Sequence, residues 1–347
     1  MSDQQQFADL VFEGGGVKGI GLAGAYAALQ EHGVVPKRVA GTSAGAINAA
    51  LVAAGYGAAE LDRILLDVPF ASFMDEGPED KVPLVGHGIS ALTQLGIYEG
   101  KAFERWITAL LEAKGVTHFG QLSDPAADRI QDRYRLKVIA SDVTQRRLLV
   151  LPDDAALLGI DPDELEIAKA VRMSMSIPVF FEPVVHRNPR TGQDHVIVDG
   201  GMLSNFPVWL FDAEGRDPRW PTFGLMLVAA DPRTVVAPAP ANGNGNGNGV
   251  GRFSALGYVK ALASTMMEAH DRMYLEAATF ARTIPIPTLG VGTTEFGIRP
   301  ERVKALYASG HLAATDFLGR WDFDAYIEEF RRGKDHSRRV AAAVAIG

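Results

Sequence analysis

The chain has 347 residues, enough for one large α/β domain with a sizeable core. It is 47% hydrophobic and 22% charged, as soluble globular proteins are, and its formal net charge of −8 gives no general attraction to nucleic acid or to anionic membranes. It has no cysteine, which excludes disulfides, thiolate catalysis and cysteine-ligated zinc or iron–sulfur centres.

The first ten residues, MSDQQQFADL, are polar and lack the basic and apolar regions of a signal peptide. No run reaches the roughly 18 uncharged apolar residues that a membrane-spanning helix needs. The expectation is a soluble, cytoplasmic protein without a transmembrane segment, meeting membranes only peripherally.

Residues 8–12 form an apolar run like a buried parallel strand, and 17–32 follow as an Ala/Gly-rich helix stopped at Gly33. A second strand at 37–40 leads into GTSAG, and 44–54 make a second small-residue helix. Two β-turn-α units within about fifty residues imply a parallel sheet with right-handed crossovers. A helix is predicted at 58–68. The apolar, breaker-rich segment 69–98 reads either as a cap or lid or as an ordinary insertion. Residues 100–114 are helical, with Phe103, Trp106, Ile107, Leu110 and Leu111 on one face.

A strand at 135–141 pairs with RRLLVLP as a hairpin. A helix at 163–173, a strand at 179–186, the turn RNPRTGQD and a strand ending at Asp199 follow. Residues 223–229 are a core strand. The ANGNGNGNG stretch at 241–249 is a flexible surface loop, since it has no apolar area to bury. A long helix at 253–282, a strand in ARTIPIPT and helices at 300–318 and 322–332 close the chain. The organisation expected is one domain over 1–347, with a core at about 7–211 completed by 212–347. The tail RRGKDHSRR, 331–339, reads as a solvated helix end or a contact for anionic headgroups.

Three glycine-framed motifs carry chemistry. Gly41, Thr42, Ser43, Ala44 and Gly45 fit G-x-S-x-G between a strand and a helix, the arrangement that lifts a serine hydroxyl onto a helix N-terminus. Gly14, Gly16 and Gly19 satisfy G-x-G-x-x-G after the first strand. A dinucleotide site also needs an acidic residue at the end of the second strand, and VAGTSAG supplies none. The remaining reading is a bed of peptide N–H groups for an anion, with Lys18 at its end. The third motif, VIVDGG, sets Asp199 at a strand end before Gly200 and Gly201. None of the eight histidines lies in such a frame.

In order and spacing, GGGVKG, GTSAG and DGG resemble the patatin-like phospholipases over about residues 7–211. AVRMSMSIPVFFEPV at 170–184 is similar to that family's A-x-x-A-S-x-A-x-P segment, with serine where alanine is commoner. The resemblance implies a three-layer α/β/α fold around a central, mainly parallel sheet. It implies a Ser–Asp dyad without histidine, in which Ser43 is the nucleophile and Asp199 its base. It implies an oxyanion hole made by the backbone amides of Gly14, Gly15 and Gly16, with Lys18, Gly19, Gly41, Gly45, Gly200 and Gly201 as the supporting residues of the three motifs. The implied substrate is an acyl-lipid ester at a lipid or membrane surface, with no cofactor and no metal. The rival readings are a non-catalytic lipid-binding protein on the same fold and a dinucleotide-binding oxidoreductase.

Overall fold

In the computed structural model, which describes residues 6–66, 68, 73, 98, 100–127, 129–213, 216–229 and 277–332, the chain builds one mixed, mainly parallel sheet flanked by helices. Most of the 69–98 segment, the 241–249 loop, most of the predicted 253–282 helix and the tail beyond Arg332 lie outside the described residues. Strand β1 (Gln6–Phe12) pairs in parallel with β2 (Val34–Thr42), and helix α1 (Ile20–Glu31) crosses between them. Helix α2 (Ala44–Ala53) follows β2 after a single residue, Ser43, and α3 (Ala58–Leu66) and α4 (Lys101–Ala113) come next. Strand β3 (Leu136–Asp142) is parallel to β2, and β4 (Arg147–Leu151) returns against it as the predicted hairpin.

Helix α5 (Ile167–Ser174) precedes the antiparallel pair β5 (Val184–Arg187) and β6 (Asp194–Asp199). Strands β7 (Thr222–Val228) and β8 (Thr283–Pro287) extend the sheet in parallel beyond β1. Helices α6 (Ala277–Ala281), α7 (Pro300–Leu318) and α8 (Phe323–Tyr326) complete the described chain.

Period-two alternation divides the core between the faces of the sheet. Leu10, Phe12, Val39, Val138, Ala140, Leu225 and Leu227 pack in the large cluster with the helices. Their neighbours Val11, Ala40, Ile139 and Met226 pack instead with Phe206, Val208 and Phe211 on the opposite face. Helix α1 is buried from Ile20 to Leu29, between the sheet and α7. Its small residues permit this, since a side chain on Gly24 would overlap the Tyr307 carbonyl, and one on Gly310 would overlap the Gly21 carbonyl. In α4, Phe103, Ile107 and Leu111 are buried at intervals of four, and each such side chain contributes about 1.5–3 kcal/mol.

One register brings distant parts of the chain together. Strand β4 lies along β3 from Val138 to Asp142, which occupies one whole edge there. Strands β2 and β6 must therefore share the other edge, end to end. β2 finishes with Thr42 against Ile139, and β6, running the opposite way, finishes with Asp199 against Ala140. Two strand ends more than 150 residues apart in sequence thus meet at consecutive positions of β3.

The structure corrects several sequence expectations. Residues Gly16–Gly19 form a 3-10 turn before α1, because Val17 donates its N–H to the Thr293 carbonyl, at 3.0 Å. β2 extends beyond 37–40 in both directions. The strand predicted at 179–186 begins only at Val184, and α5 begins at Ile167, after a 3-10 turn at Pro162–Glu164. The last helix changes from α to π at Ile327–Arg331.

Candidate active site

Ser43 stands between the last residue of β2 and the first of α2 with φ 54° and ψ −126°. Such a conformation for a non-glycine residue stores on the order of 1–3 kcal/mol, held by its surroundings. Those surroundings are close. A side chain on Gly45 would overlap the carbonyls of Phe12 and Glu13, and one on Gly41 the carbonyl of Gly45. Ser43 donates its N–H to Ser174 Oγ at 2.9 Å, and Thr42 Oγ1 donates to the Ser204 carbonyl at 3.2 Å. The bend is therefore pinned from two sides by residues remote in sequence.

Asp199 ends β6. Its N–H is donated to the Ser176 carbonyl at 3.0 Å, and its Oδ1 accepts the Gly201 N–H at 2.8 Å. Asp199 and Ser43 are both fully buried. Burial, the dominant cause, pushes the Asp199 carboxyl from 3.8 up to about 7, against the lowering influence of the Ser43 hydroxyl and then of the Gly201 N–H. The serine is thus near enough to act on the carboxyl, yet the two groups do not complete a hydrogen bond: Ser43 Oγ and Asp199 Oδ2 are both buried without a partner. A carboxylate with a pKa close to 7 is matched to proton abstraction near neutrality, which one at 3.8 is not.

The glycine loop lies against this pair. A methyl group on Gly14 would sit 3.2 Å from Ser43 Cβ, and one on Gly19 2.9 Å from Ala44 Cβ. Gly16 adopts φ 55°, which turns the loop into the 3-10 segment that carries the half-buried Lys18. One expectation changes here. Gly14 N–H is donated to the Asn205 carbonyl at 3.1 Å, so Gly14 is not a donor to an oxyanion. Among the described residues, the Gly15 and Gly16 N–H groups are donated to nothing. Gly200 abuts the Ile139 carbonyl and Gly201 supplies the N–H to Asp199, so the third motif fastens the carboxylate to β3.

Sequence reasoning missed Asn205. It accepts from Gly14 through its backbone carbonyl and donates Nδ2 to the Gly14 carbonyl at 3.0 Å. It also missed the part played by Ser174, although that residue lies in the quoted 170–184 segment. The described histidines have other partners: His195 meets Asp142 at 2.7 Å, His311 meets Glu31, His186 the Leu158 carbonyl, His32 the Ala28 carbonyl and His118 the Thr117 hydroxyl.

An apolar pocket adjoins the bend. Gly16, Ala44 and Met175 line it, each next in sequence to a residue of the site just described. Phe73, Phe103 and Trp106 contribute an aromatic wall, with ring centroids 5.3–5.8 Å apart. No helix among the described residues is long and apolar enough to cross a membrane.

The sequence and the fold have counterparts in known proteins. The chain is 39% identical to YqhO of Bacillus subtilis (strain 168) over 317 residues, 91% of this chain and 100% of that one. It is 30% identical over 210 residues to an NTE family protein of Mycobacterium tuberculosis, 60% of this chain but 29% of that protein. Its fold matches the crystal structure of VipD from Legionella pneumophila with a TM-score of 0.50 at 18% identity, covering 91% of this chain and 67% of VipD. The sequence profile of the patatin-like phospholipases matches residues 10–212, more than half of the chain and the whole of the site above, and the chain belongs to that family of lipid acyl hydrolases.

Proposed function

We propose that the protein hydrolyses acyl esters of lipids, as a phospholipase A or lysophospholipase, through a Ser43–Asp199 dyad. In this reading Asp199 Oδ2 takes the proton of the Ser43 hydroxyl as Oγ attacks the ester carbonyl. The carbonyl oxygen becomes an oxyanion, which the Gly15 and Gly16 N–H groups stabilise; one such donor is worth about 2.7–4 kcal/mol in other hydrolases. The protonated Asp199 gives its proton to the departing alcohol. Water then attacks the acyl-enzyme, again with Asp199 as base, and Ser43 is restored. The acyl chain lies in the apolar pocket, where its burial supplies binding energy without competing polar contacts.

The observation that carries this reading is the pair of buried oxygens, Ser43 Oγ and Asp199 Oδ2, held near each other with no other partner. A buried polar atom without a partner is costly, and its retention at a strained bend fits a catalytic use. The test is labelling with a fluorophosphonate probe and turnover of a lipid panel (phospholipids, lysophospholipids, triacylglycerols and short p-nitrophenyl esters), on wild type and Ser43→Ala. Labelling and turnover lost together in a folded Ser43→Ala support the dyad; labelling retained in that variant rejects Ser43 as nucleophile.

A further inference from the structure

Two hairpin turns leave the sheet beside one another, 143–146 between β3 and β4 and 188–193 between β5 and β6. β3 runs parallel to β2, and β6 antiparallel to both β3 and β5, so both turns emerge at the end of the sheet where Ser43 follows β2. They are tied to each other. Val143 donates its N–H to the Val196 carbonyl at 2.9 Å, and Val196 donates its own to Thr144 Oγ1 at 2.9 Å. Beneath them the buried His195 Nδ1 meets Asp142 Oδ2 at 2.7 Å. The turns therefore form one platform. Residues 142–147 and 185–196 hold four arginines, 146, 147, 187 and 190, all exposed, in a chain of formal net charge −8. The two carboxylates in the same stretches are already engaged, Asp142 by His195 and Asp194 by Arg187 at 3.3 Å. Arg146 stands at φ 54°, a conformation that glycine or asparagine adopts at less cost, so the turn itself does not call for an arginine.

Apolar residues accompany the arginines. Val185 pairs with Val196 across β5 and β6, and Val143 continues the row on the next strand. Ile197, beside Val196, packs in the helix-side cluster, so the valines look out from the opposite face. Val143 is 53% exposed and Val185 36%, and Arg187, two residues after Val185, shares its face. We infer that the paired hairpins are the docking surface by which the protein meets an anionic lipid bilayer. The inference rests on the hydrolase reading above for its choice of partner. A bilayer matches both halves of the surface, since its headgroups attract the guanidinium groups and its acyl boundary receives the valines. The acidic remainder of the chain is repelled by the same headgroups, so the attraction turns this end, with Ser43, toward the lipid.

The test is co-sedimentation with vesicles of phosphatidylcholine alone and of phosphatidylcholine mixed equally with phosphatidylglycerol. Wild type should bind the mixed vesicles, leave the neutral ones, and be released as salt is raised. Arg146→Gln/Arg187→Gln/Arg190→Gln should bind the mixed vesicles on the order of a hundredfold more weakly, at roughly fivefold per arginine, with turnover of a short soluble p-nitrophenyl ester unchanged. Wild type that binds both vesicles equally, or neither, overturns the inference and needs no variant to fold. So does undiminished binding by a triple variant that still turns over the soluble ester. Val143→Trp locates the contact independently: its added fluorescence should shift to the blue on mixed vesicles, and an unshifted spectrum in sedimented protein overturns the inference. Binding to a DNA duplex without binding to mixed vesicles assigns the arginines to another polyanion, and also overturns it. If the soluble ester is turned over and Ser43 is labelled while no vesicle is bound, only the docking surface fails. If mixed vesicles are bound as expected with neither turnover nor labelling, the hydrolase reading fails and the docking surface stands.

Discussion

Asn205 holds Gly14 by both of its peptide groups, accepting the Gly14 N–H at 3.1 Å and donating to the Gly14 carbonyl at 3.0 Å. The segment that carries Asp199 therefore also fixes the start of the glycine loop. In Asn205→Ala the backbone bond remains and the side-chain bonds to the Gly14 carbonyl and to Glu13 are lost, so the loop keeps its place but gains freedom. We expect kcat for a p-nitrophenyl ester to fall by about ten- to a hundredfold, with a smaller change in KM, because the oxyanion donors matter only as charge develops. Steady-state kinetics alongside a thermal melt check this. A loss confined to KM would detach Asn205 from the oxyanion loop.

Burial sets the Asp199 carboxyl at about 7, against 3.8 for an unperturbed one. As a base it must be ionised, so kcat/KM should rise with pH through a midpoint near 7. The same shift bears on stability. The folded state holds this proton more tightly than the unfolded state, so the stability it contributes is fully present below pH 3.8 and is lost as pH rises through about 7. The loss is at most on the order of 4 kcal/mol, about three units at ~1.4 kcal/mol each. Asp199→Asn carries no charge and escapes it. That variant should be inactive, yet melt higher than wild type at pH 8, with the gap closing toward pH 4. Equal melting temperatures at both pH values would refute the buried-carboxylate account.

The parts of the site that could be read from the sequence are those with a local backbone requirement. Gly41, Gly45, Gly200 and Gly201 betray themselves because close approach excludes a side chain, and that exclusion is written beside the functional residue. Asn205 and Ser174 act at a distance of 191 and 131 residues from their partners and are ordinary residue types, so nothing near them marks their role. The end-to-end meeting of β2 and β6 along β3 is likewise a property of pairing and not of periodicity. The apolar run at 179–181 read as the start of a strand because it is apolar. Its residues instead serve the pocket and its surroundings: Phe181 lines the cavity and Val179 adopts φ 76°, which no regular strand contains.

The strain at Ser43 gives a prediction in which two inactive variants differ. Ser43→Ala keeps a side chain at φ 54°, ψ −126°, whereas Ser43→Gly removes the steric cost of that conformation. Neither should turn over ester or accept a fluorophosphonate. Ser43→Gly should be the more stable of the two by about 1 kcal/mol, less whatever flexibility glycine adds to the unfolded chain. Denaturant midpoints measured side by side decide the matter. A glycine variant clearly weaker than the alanine variant would mean that the bend is not strained.

Trp106 tests where the acyl chain goes. Its ring packs 5.3 Å from Phe73 and 5.8 Å from Phe103 in the pocket wall, and the residue is only half-buried, so removing it opens space without emptying the centre of the core. Trp106→Ala should shift the preferred chain in a p-nitrophenyl ester series toward longer acyl groups. It should also lower the melting temperature, since truncation of a large aromatic residue costs up to about 3–5 kcal/mol where the site cannot collapse. Labelling of Ser43 by a small fluorophosphonate should persist, because Trp106 is not next in sequence to any residue of the bend, the glycine loop or the carboxylate. If the chain-length optimum stays in place while the protein remains folded and labelled, the acyl chain does not reach this wall.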